Sequence, residues 1–200
     1  MSDGFFLWYR TTWSGQEAAG LLTTLDACGL RTTNPGSGRV SLISNGPGSY
    51  GEQAFTTKAE LLQRMAATAD ATGTVDEVNF QLWADADADV FTRVRRLPGG
   101  VTSLEFGLDG LDGEQLKHSV AALLRTLDTY RDGTLGFVLD RQGEGEELDW
   151  DAVLTGAAAR IAPLPDTLGL HRAYVPLHPE LAMAEAKPVE YGDLLVFNLR

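Results

Sequence analysis

Between Thr74 and Asp109, hydrophobic and polar positions alternate through the longest stretch of the chain that reads as continuous sheet. Val78, Phe80 and Leu82 interleave with Asn79, Gln81 and Trp83, the period of two of a half-buried strand. Phe91 to Leu97 mixes β-branched and aromatic residues with Arg93, Arg95 and Arg96, and Leu104, Phe106 and Leu108 alternate again. Pro98-Gly99-Gly100 supplies the fixed and the permissive φ that a tight reversal between the last two runs needs. A three-stranded antiparallel meander is the simplest reading.

The pattern before it predicts a strand and two helices. Phe5 to Trp13 reads as a strand whose unbroken aromatic run calls for burial on both faces, hence a central place in the sheet. Ser14-Gly-Gln-Glu17 is a capping box; Ala18, Leu21, Leu22 and Leu25 follow at helical spacing, and Gly29 suits the helix end. Arg39 to Ser44 is a short strand between two Gly-rich loops, Asn34 to Gly38 and Asn45 to Gly51. Thr57-Lys-Ala-Glu60 caps a second helix carrying Leu61, Leu62, Met65, Ala66 and Ala69, expected to stop at Gly73.

After the meander, Asp112-Gly-Glu-Gln115 opens the most regular helix, with Leu116, Val120, Leu123, Leu124, Leu127 and Tyr130 on one face. Thr134 to Leu139 reads as a buried strand and Gly143-Glu-Gly-Glu-Glu147 as a mobile acidic loop. Asp149 caps a fourth helix, with Trp150, Val153, Leu154, Ala157, Ala158 and Ile161 on one stripe before Pro163. The proline-punctuated tail favours extended wrapping segments, and Asp193 to Leu199 a last strand. The expected class is α+β: a mixed, largely antiparallel sheet with a central β-meander and about four packed helices, in a single domain over 1–200 whose halves would be 1–74 and 75–200. Leu21-Leu-Thr-Thr-Leu-Asp26 matches Leu123-Leu-Arg-Thr-Leu-Asp128 at five of six positions, which raises a pseudo-duplicated β-α-β-α unit as a second reading.

Charge narrows the function. A net charge of -12 and a pI near 4.6 argue against a nucleic-acid binder, which needs a basic footprint for phosphates. Residues 75–149 hold 16 acids against 7 bases, so most of the excess sits in one segment. Cys28 is the only cysteine, so no intrachain disulfide forms. The apolar run Phe5 to Tyr9 is too short for a signal core or a membrane span, and the expected compartment is the cytoplasm. Arginine-over-lysine usage and abundant alanine resemble the composition of high-GC bacteria.

Candidate chemistry is sparse. Asp85-Ala-Asp87-Ala-Asp89 follows a hydrophobic strand, and carboxylates two apart can converge on a hard cation, as in glycosyltransferase DxD sites. An EF-hand is excluded by Val90 at its sixth position and Arg96 at its twelfth. Pro47-Gly-Ser49-Tyr-Gly51 departs from the nucleophile elbow at Pro47, and no base is placed for Ser49 among His118, His171 and His178. Gly36-Ser-Gly38-Arg39 offers amides and a cation to an anion but lacks the P-loop Lys-Ser/Thr. Cys28 at a helix C-terminus suits packing over nucleophilic chemistry. Arg93, Arg95 and Arg96 are expected to pair with nearby carboxylates. Trp83 falls opposite Val78, Phe80 and Leu82: exposed if the sheet has one covered face, core if it has two.

No cofactor fingerprint is present, and the profile suits an acidic, non-enzymatic protein-binding module, an inhibitor or immunity-type protein that neutralises a basic partner such as a toxin or nuclease. Its expected partner-binding residues are Trp83, Asp85, Asp87, Asp89, Glu144, Glu146 and Glu147. The alternatives are a small metal-dependent transferase or hydrolase using Asp85 and Asp87, with Glu105 as a further candidate ligand, and an assembly subunit that forms homo-oligomers through the acidic face.

Overall fold

The computed structural model describes residues 4–44, 51–68, 77–183 and 186–200. Its strands are β1 (Phe5–Arg10), β2 (Val40–Ile43), β3 (Gln53–Thr56), β4 (Glu77–Trp83), β5 (Asp89–Arg96), β6 (Thr102–Gly107), β7 (Thr134–Asp140), β8 (Thr167–His171), β9 (Val189–Tyr191) and β10 (Leu194–Asn198). The helices are α1 (Gly15–Cys28), α2 (Lys58–Ala67), α3 (Gly113–Thr129), α4 (Trp150–Leu154) and α5 (Glu180–Met183). The strands form one sheet in the order β3-β2-β4-β5-β6-β1-β7-β8-β10-β9. The fold is α+β as expected, and the sheet read as mixed but largely antiparallel is antiparallel at every strand pairing described.

The aromatic run does what its pattern demands. All six residues of β1 are buried, and the strand sits between β6 and β7. Phe6 and Trp8 enter a large core with α1, α2 and α3; Phe5, Leu7 and Tyr9 enter a second core on the opposite face. The meander β4-β5-β6 forms as read, with Val78, Phe80, Leu82, Val90, Val94, Leu104 and Phe106 all in the large core.

Capping holds the helices where the sequence put their starts. The Ser14 hydroxyl accepts from the Glu17 amide, and Thr57/Glu60 and Asp112/Gln115 close full capping boxes. Gly29 ends α1 at φ 101, a left-handed backbone that glycine adopts without a Cβ penalty.

Several expectations change. β1 ends at Arg10 instead of Trp13, and α2 ends at Ala67 with Thr68 as its cap, while Gly73 lies outside the described residues. β3 lies just past the second Gly-rich loop, in a stretch for which the sequence pattern predicts no element. α4 stops at Leu154 instead of reaching Ile161, because Gly156 turns left-handed at φ 95 and breaks the helix before Pro163 can. The tail does wrap the second face, yet it also contributes β8, β9 and α5, whose short spans give little periodicity to read. The matched segments of α1 and α3 lie on helices that pack together. Their followers diverge, α2 packing into the large core and α4 into the opposite one, unlike two copies of one unit.

Candidate functional site

The two faces of the sheet are covered unequally. On the face away from α1–α3, the second core spans β1, β7, β8 and β10 under α4 and the tail residues Ile161 and Leu181. No described residue of β2, β3, β4, β5 or β6 belongs to that second core, so among the described residues this half of the sheet is left uncovered by a second apolar layer, although Ser41, Asn79 and Ser103 on the same face are buried among their polar neighbours.

Strand registers fix what that face presents. Across β4 and β5, Trp83 lies opposite Asp89, Gln81 opposite Phe91, Asn79 opposite Arg93, and Glu77 opposite Arg95. Arg93 is next to Glu105 on β6, which is next to Leu7 on β1. At the far edge Ser41 lies opposite Phe55, and the Gln53 amide donates to both Ser41 and Gln81. Phe55 is 55% exposed with the Arg39 guanidinium over its ring; Trp83 and Phe91 are half-buried. Aromatic side chains on three strands thus stand among amides and charges.

Where the uncovered half meets α4, a groove of about 450 Å3 opens. Leu7, Phe91 and Gly107 contribute apolar lining; Arg93, Arg95, Glu105, Asp109, Glu146, Asp149 and Asp151 supply the charge. Asp149 caps α4 by accepting from the Ala152 amide, which sets Asp151 on the helix's first turn facing the sheet. Arg95 grips Asp151 with two 2.8 Å hydrogen bonds, and the Tyr9 hydroxyl donates to the same carboxylate at 2.6 Å. Burial, then the hydrogen bond to Asp151, pushes the Tyr9 phenol well above its ordinary value. Burial opposes the charge on Arg95, but the Asp151 carboxylate outweighs it and holds the guanidinium above its usual value. Arg93 donates to Glu105 at 3.2 Å, so the arginine–carboxylate pairing read from the sequence is present for Arg93 and Arg95, while no described ion pair includes Arg96.

The residues expected to bind a partner are not gathered in one place. Trp83 and Asp89 are cross-strand neighbours on the uncovered face, although the indole N–H is hidden from solvent and has no acceptor. Asp89 accepts from Gln81. Asp85 closes the turn before β5: its carboxylate accepts from the Asp87 and Ala88 amides at 2.8 Å and from Gln115 at 2.9 Å. Those donors, the Asp87 amide first, hold its pKa below the usual carboxylate range. Asp87 is exposed. Glu144 pairs with Arg200, Glu147 is exposed, and Glu146 lines the groove. The acidic loop read as mobile is tied down, since the fully buried Asp140 carboxylate accepts from the amides of Gln142, Gly143 and Gly145.

Among the described residues no group of three or more His, Cys, Asp or Glu side chains converges as a metal site. The Gly36 and Ser37 amides are taken by the Asn34 side chain and the Gly38 amide by the Asn34 carbonyl, so that turn keeps no amide cradle for an anion. Ser49 and its loop lie outside the described residues. Cys28 packs against the large core, and His171 accepts from the Ala173 amide beside Tyr174. His178 is buried, with Nδ1 3.7 Å from Glu180. Among the described residues no helix is long and apolar enough to cross a membrane.

Sequence reasoning missed Tyr9, Asp109, Asp149 and Asp151 as groove residues and Phe55 as an exposed aromatic. The parity of β5 does place Phe91, Arg93 and Arg95 on one face, and that signal was legible. Nothing local signals that Asp151, 142 positions from Tyr9, meets it.

No family model matches the chain, and neither does any curated protein. Among solved structures, it is similar to a chain in the crystal structure of the toxic C-terminal tip of CdiA from Pseudomonas aeruginosa in complex with immune protein. The match has 12% identity and a TM-score of 0.37, and covers 73% of this chain and 92% of that one. Likeness at that level carries no functional inference.

Proposed function

We propose that this chain is a non-enzymatic protein-binding module of the inhibitor or immunity type. It neutralises a basic partner, such as a toxin or nuclease, in the cytoplasm by laying the uncovered half of its sheet over it. The observation that carries this reading is the unequal cover of one sheet face. Among the described residues α4 and the tail cover β1, β7, β8 and β10, while Phe55, Trp83 and Phe91 stand among polar groups on the other half. Aromatic anchors within a polar surround are the usual composition of an interface centre. The -12 net charge favours a basic partner, through complementary potentials that speed encounter and penalise acidic competitors.

The test is affinity capture from the native lysate with a salt gradient, using the wild-type chain and a Trp83→Ala/Phe91→Ala/Asp89→Lys variant. A basic protein released by salt and lost with the variant supports the docking face. Equal recovery on both baits overturns it.

A further inference from the structure

Resting on the docking reading above, the geometry points to a more specific role for the groove: we infer that it receives one arginine side chain from the bound protein. Arg93 and Arg95 are paired with Glu105 and Asp151, while Glu146 and Asp149 on the same lining take part in no described ion pair, so the groove keeps an excess of negative charge. Its floor is apolar at Leu7 and Phe91, and Gly107 adds no side chain there. Arginine matches both: an aliphatic stem that lies along apolar surface, and a planar head whose five donors suit carboxylates on more than one wall. Lysine offers the charge without the fork, and a bare metal ion lacks a converging ligand set among the described residues. The source is a protein because the groove opens onto the same face as Phe91 and Trp83, so whatever covers those aromatics also closes the groove.

Gly107 makes the inference testable without altering charge. A Cβ built there meets its nearest neighbour, the Phe91 Cβ, at 3.5 Å, an ordinary contact, so a side chain at this position occupies the groove instead of clashing. The experiment is an amide NMR titration of the full chain with acetyl-Gly-Arg-Gly-amide and its lysine and glutamate counterparts. Saturable shifts are expected at residues 105–109 and 146–151 with the arginine peptide, weaker ones with lysine, and none with glutamate. Gly107→Leu should weaken the arginine peptide by about tenfold while its melting temperature stays near wild type. Should Gly107→Leu fail to fold, Gly107→Ala and Glu146→Gln make the same comparison more gently, each expected to weaken binding. Undiminished shifts in these variants, or shifts scattered over remote acids such as Glu114 and Asp132, overturn the inference. Lysate capture separates the two readings: a partner kept by Gly107→Leu but lost with Trp83→Ala refutes the arginine slot and leaves the docking face standing.

Discussion

The Tyr9 hydroxyl on the central strand donates a 2.6 Å hydrogen bond to Asp151 on α4, and Arg95 holds the same carboxylate from β5. One side chain thus links the middle of the sheet, its uncovered half and the helix bordering the groove. Removing the phenolic hydroxyl in Tyr9→Phe takes away one bond and should cost about 1 kcal/mol. Asp151→Ala leaves both a buried hydroxyl and a guanidinium without their acceptor, and should cost about 2–3 kcal/mol. Urea melts of the two variants test the order; equal effects would mean that the Arg95–Asp151 pair contributes nothing beyond the Tyr9 hydrogen bond.

A second prediction concerns packing across β7 and β8. Gly169 lies opposite Phe137, and a Cβ built on Gly169 falls 2.1 Å from the Phe137 ring, which is itself buried. The ring can yield only by leaving its rotamer, so Gly169→Ala should destabilise by about 1–3 kcal/mol through overpacking. Phe137→Leu in the same background should recover part of the loss, read from the denaturation midpoints.

Stability should fall on both sides of neutrality for separable reasons. Burial tends to raise Asp166 and Glu17, but Arg141 for the former, and Thr12 with Arg10 for the latter, bring both carboxyls below their usual values. A depressed carboxyl stabilises the fold above its unfolded pKa of about 4, and that stability is lost as the pH falls through the folded value. Asp166→Asn should therefore lower the melting temperature at pH 7 and flatten its decline below about pH 4. Tyr9 runs the other way: its raised phenol keeps its contribution below about pH 10 and loses it as the pH climbs further, so Tyr9→Phe should flatten the alkaline limb. Limbs of unchanged slope in both variants would assign the pH dependence to other groups.

The floor of the acidic loop gives a fourth test. Asp140 accepts from three loop amides and also from Arg200 at 2.9 Å. Arg200→Ala leaves the amides their acceptor and should cost about 1 kcal/mol; Asp140→Ala should cost about 3 kcal/mol. Hydrogen exchange at Gly143 and Gly145 should speed up in Asp140→Ala and stay near wild type in Arg200→Ala.

Where periodicity was strong, the residues announced their structure. The alternation through Val78, Phe80 and Leu82 formed, and so did the helical stripe through Leu116, Val120, Leu123 and Leu127, because each pattern has one arrangement that buries its apolar face; Leu124, read on the same stripe, is instead exposed at its edge. Asp85 shows where such reading stops. Three aspartates at alternate positions look like a convergent site, yet the first turns back on the Asp87 and Ala88 amides, a local bond that short polar side chains make readily. Trp83 could be placed on a face by parity, but whether that face was covered depended on where α4 and the tail would lie. That is a long-range fact, and it decided the shape of the candidate site. β8 and β9, five and three residues long, carry too few positions for a period to register.

The seat of β1 between β6 and β7 has a consequence for synthesis. The run Phe-Phe-Leu-Trp-Tyr leaves the ribosome about a hundred residues ahead of one flanking strand and further still ahead of the other. Its backbone cannot be paired on either side until those strands have been translated, so the most aggregation-prone segment of the chain is the one that waits longest. This protein should therefore lean on chaperones during translation, in proportion to how slowly residues 102–140 are made.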